Sequence, residues 1–326
     1  MRRFARACVA AAWVLASSAN LSAFSADAPV VAPATTPPPA GPAHTDSAFS
    51  AHGADTCLGC HNNAGVTGLF HTRHAQPNDP RGPFGTGGLQ CEACHGPGGA
   101  HVKAGGGPLA GMIDFGPKAA APAVKQNAQC LACHQSNTAH AFATSAHAAS
   151  DVACASCHTL HLPADPVQVA STQVEVCTTC HQAQHTDLFK PSHHPLREGK
   201  MACTSCHSAH GSSAPAQLVR NTVNETCTAC HSEFRGPFLW EHQPVAEDCS
   251  NCHDAHGSAQ PALLKMRPPF LCQTCHEGVG HPSIVNTPQG LPGGATPSAL
   301  LLAGGCVNCH SQIHGSNHPS GSAFMR

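Results

Sequence analysis

The sequence contains no tyrosine, only two tryptophans and few charged residues, which make up 10% of its 326 residues. Leucine, isoleucine, valine and phenylalanine together number 53, about 16% of the chain. This share lies below the roughly 20% that accompanies an ordinary hydrophobic core. Lysine and arginine total 16 and form no basic run beyond residue 6, so the sequence does not favour nucleic-acid binding.

Glycine and proline are abundant instead, at 30 and 28 residues, which favours turns over long helices or strands. The formal net charge is only −2, so the chain is not a charge-extended disordered one. A chain that is poor in apolar residues and still folds needs cross-links or cofactors in addition to the hydrophobic effect. The residue types in excess are cysteine, at 21, and histidine, at 27.

Residues 1–26 are predicted to be a secretory signal peptide. Three arginines within the first six residues precede a short apolar stretch at 7–16 and then small residues. That stretch is well short of the ~20 residues that a membrane span needs. Cys8 lies in this segment, and we expect it to be removed with the signal. Residues 27–50 are rich in proline, alanine and threonine, which predicts a flexible segment.

The other 20 cysteines all belong to one motif, Cys-x-x-Cys-His, which occurs ten times. The first cysteines of successive motifs are 22 to 39 residues apart, and the spacing is most regular in the middle of the chain. The cysteines are Cys57, Cys60, Cys91, Cys94, Cys130, Cys133, Cys154, Cys157, Cys177, Cys180, Cys203, Cys206, Cys227, Cys230, Cys249, Cys252, Cys272, Cys275, Cys306 and Cys309. The histidines that end the motifs are His61, His95, His134, His158, His181, His207, His231, His253, His276 and His310.

Cys-x-x-Cys-His is the attachment signal for c-type haem. The two thiols add to the two vinyl groups of the porphyrin, and the adjacent histidine binds the iron as its proximal ligand. A zinc site also uses Cys-x-x-Cys pairs, but it does not require a histidine after every second cysteine. A thioredoxin-like pair belongs in a βαβ unit, and a disulfide scaffold predicts no histidine at all. Ten complete motifs with no further cysteine beyond the signal peptide therefore predict ten covalently attached haems.

Seventeen histidines remain for the second axial position of the irons. An iron with two histidine ligands passes electrons, whereas an open position can bind or reduce a small molecule. After most odd-numbered motifs a histidine follows the proximal one by 13 or 11 residues, and after most even-numbered motifs by three or four. The intervals to His101 and His281 are irregular. The candidate distal ligands are His74, His101, His147, His161, His194, His210, His242, His256, His281 and His314.

Two imidazoles only three residues apart cannot reach opposite faces of one iron. The second histidine of each CHxxH sequence is therefore predicted to bind the iron of a different motif and to tie neighbouring haems together. Each unit of about 47 residues would then supply two haems and two cross-ligands. His318 is an alternative to His314. The remaining histidines are expected on the surface: His44, His52, His71, His140, His185 and His193.

Ten porphyrins amount to about one for every 30 residues of the processed chain, so they are expected to supply the apolar surface that the chain lacks. Folding is then coupled to haem attachment and axial ligation. The predicted fold is that of a multihaem cytochrome c. It is mostly irregular, has short α-helices and almost no β-sheet, and is organised by ten closely spaced haems.

The connecting sequences resemble those of a known family, the DmsE/MtrA-type periplasmic decahaem c-type cytochromes. The resemblance covers roughly residues 53–326. It rests on the stretches Leu89–Gly96, Val152–His158, Ser192–His207, Arg235–Pro244, Pro269–His276 and Asn308–Gly321. His194 and His242 match the SxHP and EHxP positions of the family, whereas the proline-rich segment and His52 depart from its pattern.

The resemblance implies two pentahaem halves in tandem, here residues 51–190 and 191–326, whose bis-histidine haems form a wire. It also implies a periplasmic protein that sits partly inside an outer-membrane β-barrel porin. Such a protein exchanges electrons with periplasmic cytochromes and can hand them to an extracellular partner.

A physical argument favours the same function. The hydrocarbon core of a bilayer is roughly 30 Å thick, and electron tunnelling falls steeply with distance, so one haem cannot bridge it. Ten haems in near contact can, but a loop-rich backbone needs a surrounding barrel to enter lipid. A periplasmic shuttle without a barrel and a multihaem reductase are the alternatives. Many such reductases carry a CxxCK motif, which does not occur here, so the chain is predicted not to be an enzyme.

Overall fold

The computed structural model describes residues 48–107, 111–276 and 305–325. The predicted signal peptide at 1–26 and nearly all of the predicted flexible segment at 27–50 lie outside the described residues. Within the described ranges the chain forms short helices and turns with four isolated β-bridges and no β-strand. The prediction of a mostly irregular fold with short α-helices is confirmed.

The described part of the chain contains twelve α-helices, none longer than nine residues. They are α1 Ala54–Leu58, α2 Ala64–Thr67, α3 Glu92–His95, α4 Gly99–Lys103, α5 Ala123–Leu131, α6 Asn137–Phe142, α7 Ala146–Ala149, α8 Ala170–Thr178, α9 Gln182–Asp187, α10 Val223–Thr228, α11 Gln243–Glu247 and α12 Phe270–Gln273. Short 3-10 turns lie at Gly68–His71, Arg73–Ala75, Cys154–Ser156, Pro166–Gln168, Cys203–Ser205, Pro215–Gln217, Ser232–Phe234, Cys249–Asn251, Pro261–Leu263, Cys306–Asn308 and Gly321–Ala323. None of these described helices has the length and apolar character that crossing a bilayer requires.

The Cys-x-x-Cys-His motifs, numbered 1 to 10 along the chain, alternate between two local structures. Odd-numbered motifs begin near the end of an α-helix, as Cys227 does in α10. Most even-numbered motifs form a 3-10 turn, as at Cys249–Asn251, and only motif 2 has its Cys91 at the start of α3. In all ten motifs the N–H of the histidine donates to the carbonyl of the first cysteine at 2.9–3.1 Å. The same backbone hydrogen bond therefore closes every motif, whichever of the two local structures it has, and places both thiols and the imidazole on one turn.

The protein itself buries few apolar side chains. In the described part, the buried hydrophobic residues are Ala54, Ala75, Phe142, Ala153, Val174, Leu188 and Leu218. No large side chain there is completely buried. A core this small cannot offset the conformational entropy of a chain of this length. Polar links and cofactor sites must therefore contribute much of the stability.

Two asparagines clamp odd-numbered motifs to the even-numbered motifs that follow. Asn127 stands three residues before motif 3, and its Oδ1 accepts the N–H of Cys154 in motif 4 at 2.7 Å. Its Nδ2 donates to the carbonyl of Val152 at 3.3 Å. Asn224 stands three residues before motif 7 and accepts the N–H of Cys249 in motif 8 at 2.7 Å. Each pair of motifs is thereby held by side-chain hydrogen bonds to backbone.

Gln173 in α8 links motifs 5 and 6 in a similar way. This glutamine is buried, and its Oε1 accepts the N–H of Thr204 at 3.0 Å. Its Nε2 donates to the carbonyl of Val167 at 2.6 Å. The amide therefore satisfies backbone groups from two separate segments, which is the usual reason for burying a glutamine.

Replacing Gln173 by leucine is expected to lower the free energy of unfolding of the haem-loaded protein by about 1–3 kcal/mol, because it leaves these backbone groups without partners. Guanidinium denaturation measures the change. The control is Gln182→Leu at an exposed position of α9, where the change should stay within about 0.5 kcal/mol. Equal losses in the two variants would contradict the role assigned to Gln173.

Candidate haem-ligand sites

In the described part of the chain, nine motif histidines each lie opposite one of nine predicted distal histidines. The ring centroids are 6.0–6.3 Å apart in every pair. The pairs are His61 with His101, His95 with His161, His134 with His74, His158 with His210, His181 with His147, His207 with His256, His231 with His194, His253 with His314 and His276 with His242. The remaining candidate, His281, lies outside the described residues.

This spacing fits an iron held from both sides. An imidazole nitrogen binds a metal such as zinc at roughly 2.0–2.1 Å, so two rings on opposite sides of one metal have centres about 6 Å apart. A directly bound zinc ion would need further protein ligands. Across residues 48–107, 111–276 and 305–325, no three histidine, cysteine or acidic side chains converge as such a site requires. Paired imidazoles beside a Cys-x-x-Cys turn fit c-type haem instead.

The predicted distal histidines form two series, which link motifs in opposite directions along the chain. In the odd series, His74 follows motif 1 and faces motif 3, while His147 follows motif 3 and faces motif 5. In the even series, His161 follows motif 4 and faces motif 2, while His210 follows motif 6 and faces motif 4. The irregular interval to His101 lies where the even series ends, so this residue faces motif 1. In both series, a histidine that follows one motif therefore faces the histidine of the motif two positions away. The exception at the start of the repeat is His101, which follows motif 2 and faces motif 1.

Strained backbone carbonyls orient two proximal histidines. The Nδ1 of His207 contacts the carbonyl oxygen of Ala216 at 2.9 Å, and the Nδ1 of His253 contacts that of Ala262 at 2.7 Å. Both alanines have left-handed backbone, with φ of 50° and 56°. This conformation costs a non-glycine residue about 1–2 kcal/mol. The hydrogen bond from Nδ1 leaves Nε2 unprotonated to bind a metal, which accounts for keeping the strain.

One proximal histidine has a carboxylate in the place of the carbonyl. The Nδ1 of His158 donates to Oδ2 of Asp165 at 2.6 Å. Asp165 also accepts the backbone N–H of Thr159 and the side-chain N–H of Gln168, each at 3.1 Å. Burial acts to raise the pKa of Asp165, but these hydrogen bonds outweigh it and hold the pKa below its ordinary value. His158 therefore faces a full negative charge.

Distal histidines of adjacent motifs are tied together. The Nδ1 of His147 contacts the carbonyl of Ala209 at 2.9 Å, and Ala209 directly precedes the distal histidine of the neighbouring motif. The same contact joins His194 to the carbonyl of Ala255 at 2.9 Å and His242 to that of Ile313 at 3.1 Å. These contacts fix the ring orientation for motifs 5, 7 and 9 and connect them to motifs 4, 6 and 8.

Several distal histidines are held in the neutral form that binds a metal. Burial lowers their pKa, and a second histidine beside each lowers the pKa further. This holds for His74, His161, His210, His256 and His314.

The cysteines place consecutive motifs next to one another throughout the series. The thiols of first cysteines lie near enough to interact in the pairs Cys57 with Cys91, Cys130 with Cys154, Cys177 with Cys203, Cys227 with Cys249 and Cys272 with Cys306. Second cysteines interact electrostatically in the alternate pairs Cys94 with Cys133, Cys157 with Cys180, Cys206 with Cys230 and Cys252 with Cys275. At all nine junctions, cysteines of successive motifs are therefore near enough to influence each other electrostatically.

The ring planes of the facing histidines fall into two groups. The planes are within 15–25° of parallel at motifs 1, 4, 6, 8 and 9. They cross at 54–76° at motifs 2, 3, 5 and 7. Since the relative orientation of two axial imidazoles sets the magnetic anisotropy of a low-spin iron, the chain prepares two spectroscopic classes of site.

The other histidines lie mostly where the sequence predicts. His52, His71, His140 and His185 are exposed, while His44 lies outside the described residues. His193 differs, because it is half-buried, with its Nδ1 on the carbonyl of Lys190 at 2.7 Å and its Nε2 3.3 Å from Glu198. It therefore braces the segment that carries the neighbouring His194.

His314 and His318 are separated by the structure. His314 faces the motif histidine His253, whereas the Nδ1 of His318 accepts the backbone N–H of Ser320 at 3.1 Å within a local turn. Sequence reasoning found both histidines but missed the groups that orient the rings, including Asp165.

Replacing His314 by alanine is expected to convert one iron in ten from low spin to high spin, because its distal ligand is removed. Electron paramagnetic resonance of the oxidised protein counts the two forms. His318→Ala is the matched control and should leave every iron low-spin. A high-spin signal from His318→Ala with none from His314→Ala would reverse the assignment.

Comparisons with known proteins match most of the chain to multihaem cytochromes. A doubled CXXCH motif family model matches residues 193–236 and 242–281, and a model for cytochrome c-type proteins like NrfB matches residues 91–173. The chain is 46% identical over 282 residues to multiheme cytochrome MtrA of Shewanella baltica (strain OS185), covering 85% of this chain and 83% of that protein. It is 31% identical over 147 residues to cytochrome c-type protein NrfB of Escherichia coli O6:H1, covering 43% of this chain and 72% of that protein.

The similarity over most of both chains, the repeated attachment turns and the facing imidazoles lead to one assignment. The chain belongs to the MtrA family of multihaem c-type cytochromes, which are electron-transfer proteins with covalently bound haem.

Proposed function

We propose that this protein is an electron conduit between the periplasm and the cell exterior, in which ten bis-histidine haems stand in single file inside an outer-membrane β-barrel partner. The observation that carries the proposal is the unbroken succession of neighbouring motifs from Cys57 in motif 1 to Cys306 in motif 10, whose cysteines interact at every junction. Attachment sites that adjoin at every junction keep each electron-transfer step short.

In this proposal the motif histidines are the proximal ligands and the nine histidines that face them are the distal ligands. His281 completes the set as the ligand opposite His310. His281 follows motif 9, and the given sequence contains no eleventh motif for the odd series to serve. We therefore assign it to motif 10, by analogy with His101, which follows motif 2 and faces motif 1.

Iron that cycles between the ferric and ferrous states supplies the electron transfer when haem is bound. The residues of this chain close both axial positions and so leave no site for a substrate. This arrangement favours a conduit over a reductase, and we propose that the protein is not an enzyme. The predicted halves 51–190 and 191–326 would join without a gap, since Cys177 and Cys203 interact as the other first cysteines do.

The need for a β-barrel partner follows from the hydrogen-bonding groups of the backbone. In the described residues the backbone runs through turns and short helices, and lipid cannot satisfy the backbone N–H and C=O groups that these leave unpaired. A β-barrel porin would shield part of the chain across the roughly 30 Å of hydrocarbon. A periplasmic cytochrome would exchange electrons at one end and an extracellular cytochrome or oxidant at the other. The predicted signal peptide and the similarity to MtrA support the periplasmic location at the outer membrane.

Vesicles that contain the protein and its barrel partner are expected to pass electrons from an external reductant to a redox dye inside. Vesicles with the barrel alone should not. A variant with Cys203 and Cys206 both changed to alanine lacks the sixth attachment site and should abolish transfer, because the file is interrupted. Optical bleaching of the dye measures each case.

Two results would contradict the conduit. One is an undiminished rate in the Cys203 and Cys206 variant. The other is transfer to the dye in free solution but not across the vesicle membrane, which would identify a periplasmic shuttle instead.

A further inference from the structure

The even-numbered motifs share a hydrogen bond at Nδ1 of the proximal histidine, and one of them differs in its acceptor. Four use a backbone carbonyl: His95 with Ile113 at 2.9 Å, His207 with Ala216 at 2.9 Å, His253 with Ala262 at 2.7 Å and His310 with Ala323 at 2.5 Å. In motif 4 the acceptor is the carboxylate of Asp165, 2.6 Å from the Nδ1 of His158.

The surroundings of Asp165 make this contact strong. Its side chain is only 10% exposed, so solvent screens the charge weakly. Thr159 donates to Oδ1 and Gln168 to Oδ2, which holds the carboxylate in place beside His158. All three partners donate hydrogen bonds, and an ionised carboxylate accepts them without a proton of its own.

Another carboxylate comes near a motif histidine without the same effect. Glu233 lies 3.7 Å from the Nδ1 of His231, which exceeds a hydrogen-bond distance. Both of these side chains are more than half exposed, so water competes for the interaction. The contact between His158 and Asp165 is therefore the stronger of the two, because it is a hydrogen bond to a carboxylate that water screens weakly.

A carboxylate acceptor changes the ligand more than a carbonyl does. A charge-assisted hydrogen bond is roughly twice as strong as a neutral one and draws the Nδ1 proton towards the oxygen. The imidazole becomes a stronger electron donor through Nε2, as it does in carboxylate–histidine–metal triads. A stronger donor stabilises the more positive ferric iron over the ferrous iron.

We propose that Asp165 is a positioning residue that lowers the reduction potential of the fourth haem through His158. The inference rests on the proposed ligation of that iron by His158 and His210. It assigns the chain one distinct low-potential site, fourth of ten, whereas the other even-numbered sites use carbonyl acceptors.

The test is a spectroelectrochemical titration of the purified, fully loaded protein and its Asp165→Asn variant. Asparagine keeps the shape and an acceptor oxygen but removes the charge. We expect about a tenfold rise in the equilibrium constant for reducing one haem in ten, which equals about 59 mV for one electron. The low-potential end of the titration should lose one-tenth of the haem absorbance.

Two further variants keep the test decisive. Gln168 is exposed and donates to the same Oδ2 that faces His158, so Gln168→Leu concentrates charge on the imidazole and should shift that haem in the opposite direction. Asp254→Asn is the control for a charge that makes no hydrogen bond to a ligand ring, because Asp254 directly follows His253, accepts the backbone N–H of His256 at 3.3 Å and acts on the His256 ring only through space. It should change no haem by more than about twofold.

An unchanged titration in Asp165→Asn, or an equal shift in Asp254→Asn, would overturn the inference. If Asp165→Asn loses a haem, the Gln168→Leu shift decides the question, and no shift there also overturns it. Failure of the ligation itself has a separate signature, a high-spin iron in the unaltered protein. The two failures are therefore distinguishable.

Discussion

The pairing of two imidazoles from distant parts of the chain is the interaction on which the rest of the structure depends. In the described part of the chain, the few buried apolar side chains cannot hold twelve short helices together by hydrophobic packing alone. The facing pairs join segments 34 to 66 residues apart, from His147 with His181 to His95 with His161. Because the odd series runs forward and the even series backward, the links overlap along the whole repeat. In this account, cofactor ligation and folding are one process.

A second layer of interactions fixes the direction of each ring. The carbonyls of Ala216 and Ala262 that contact their histidines belong to residues with left-handed backbone, and such local strain concentrates at functional sites. Asparagine and glutamine side chains then hold motif 3 to motif 4, motif 5 to motif 6 and motif 7 to motif 8, as Asn127 does for motif 4. The buried polar groups of the protein thus orient the imidazole rings. Differences among these groups distinguish the ten sites from one another.

Much of this architecture could be predicted from the sequence, because the attachment motif has a fixed local turn and the histidine intervals repeat. The short helices follow from the abundant glycine and proline. The alternation of α-helical and 3-10 motifs could not be predicted, nor could the left-handed alanines, since alanine has no preference for that conformation. The contact between Asp165 and His158 could not be predicted either, because Asp165 lies seven positions after His158 in irregular chain and no periodicity relates the two.

The most direct test of the account counts the haems and their ligands in the unaltered protein. Intact mass and quantitative electron paramagnetic resonance of the fully oxidised protein should give ten attached haems and ten low-spin irons. Motifs 1, 4, 6, 8 and 9 should contribute the signals of parallel imidazoles, and motifs 2, 3, 5 and 7 the more anisotropic signals of crossed ones. Fewer than ten haems, or any stoichiometric high-spin iron, would contradict it.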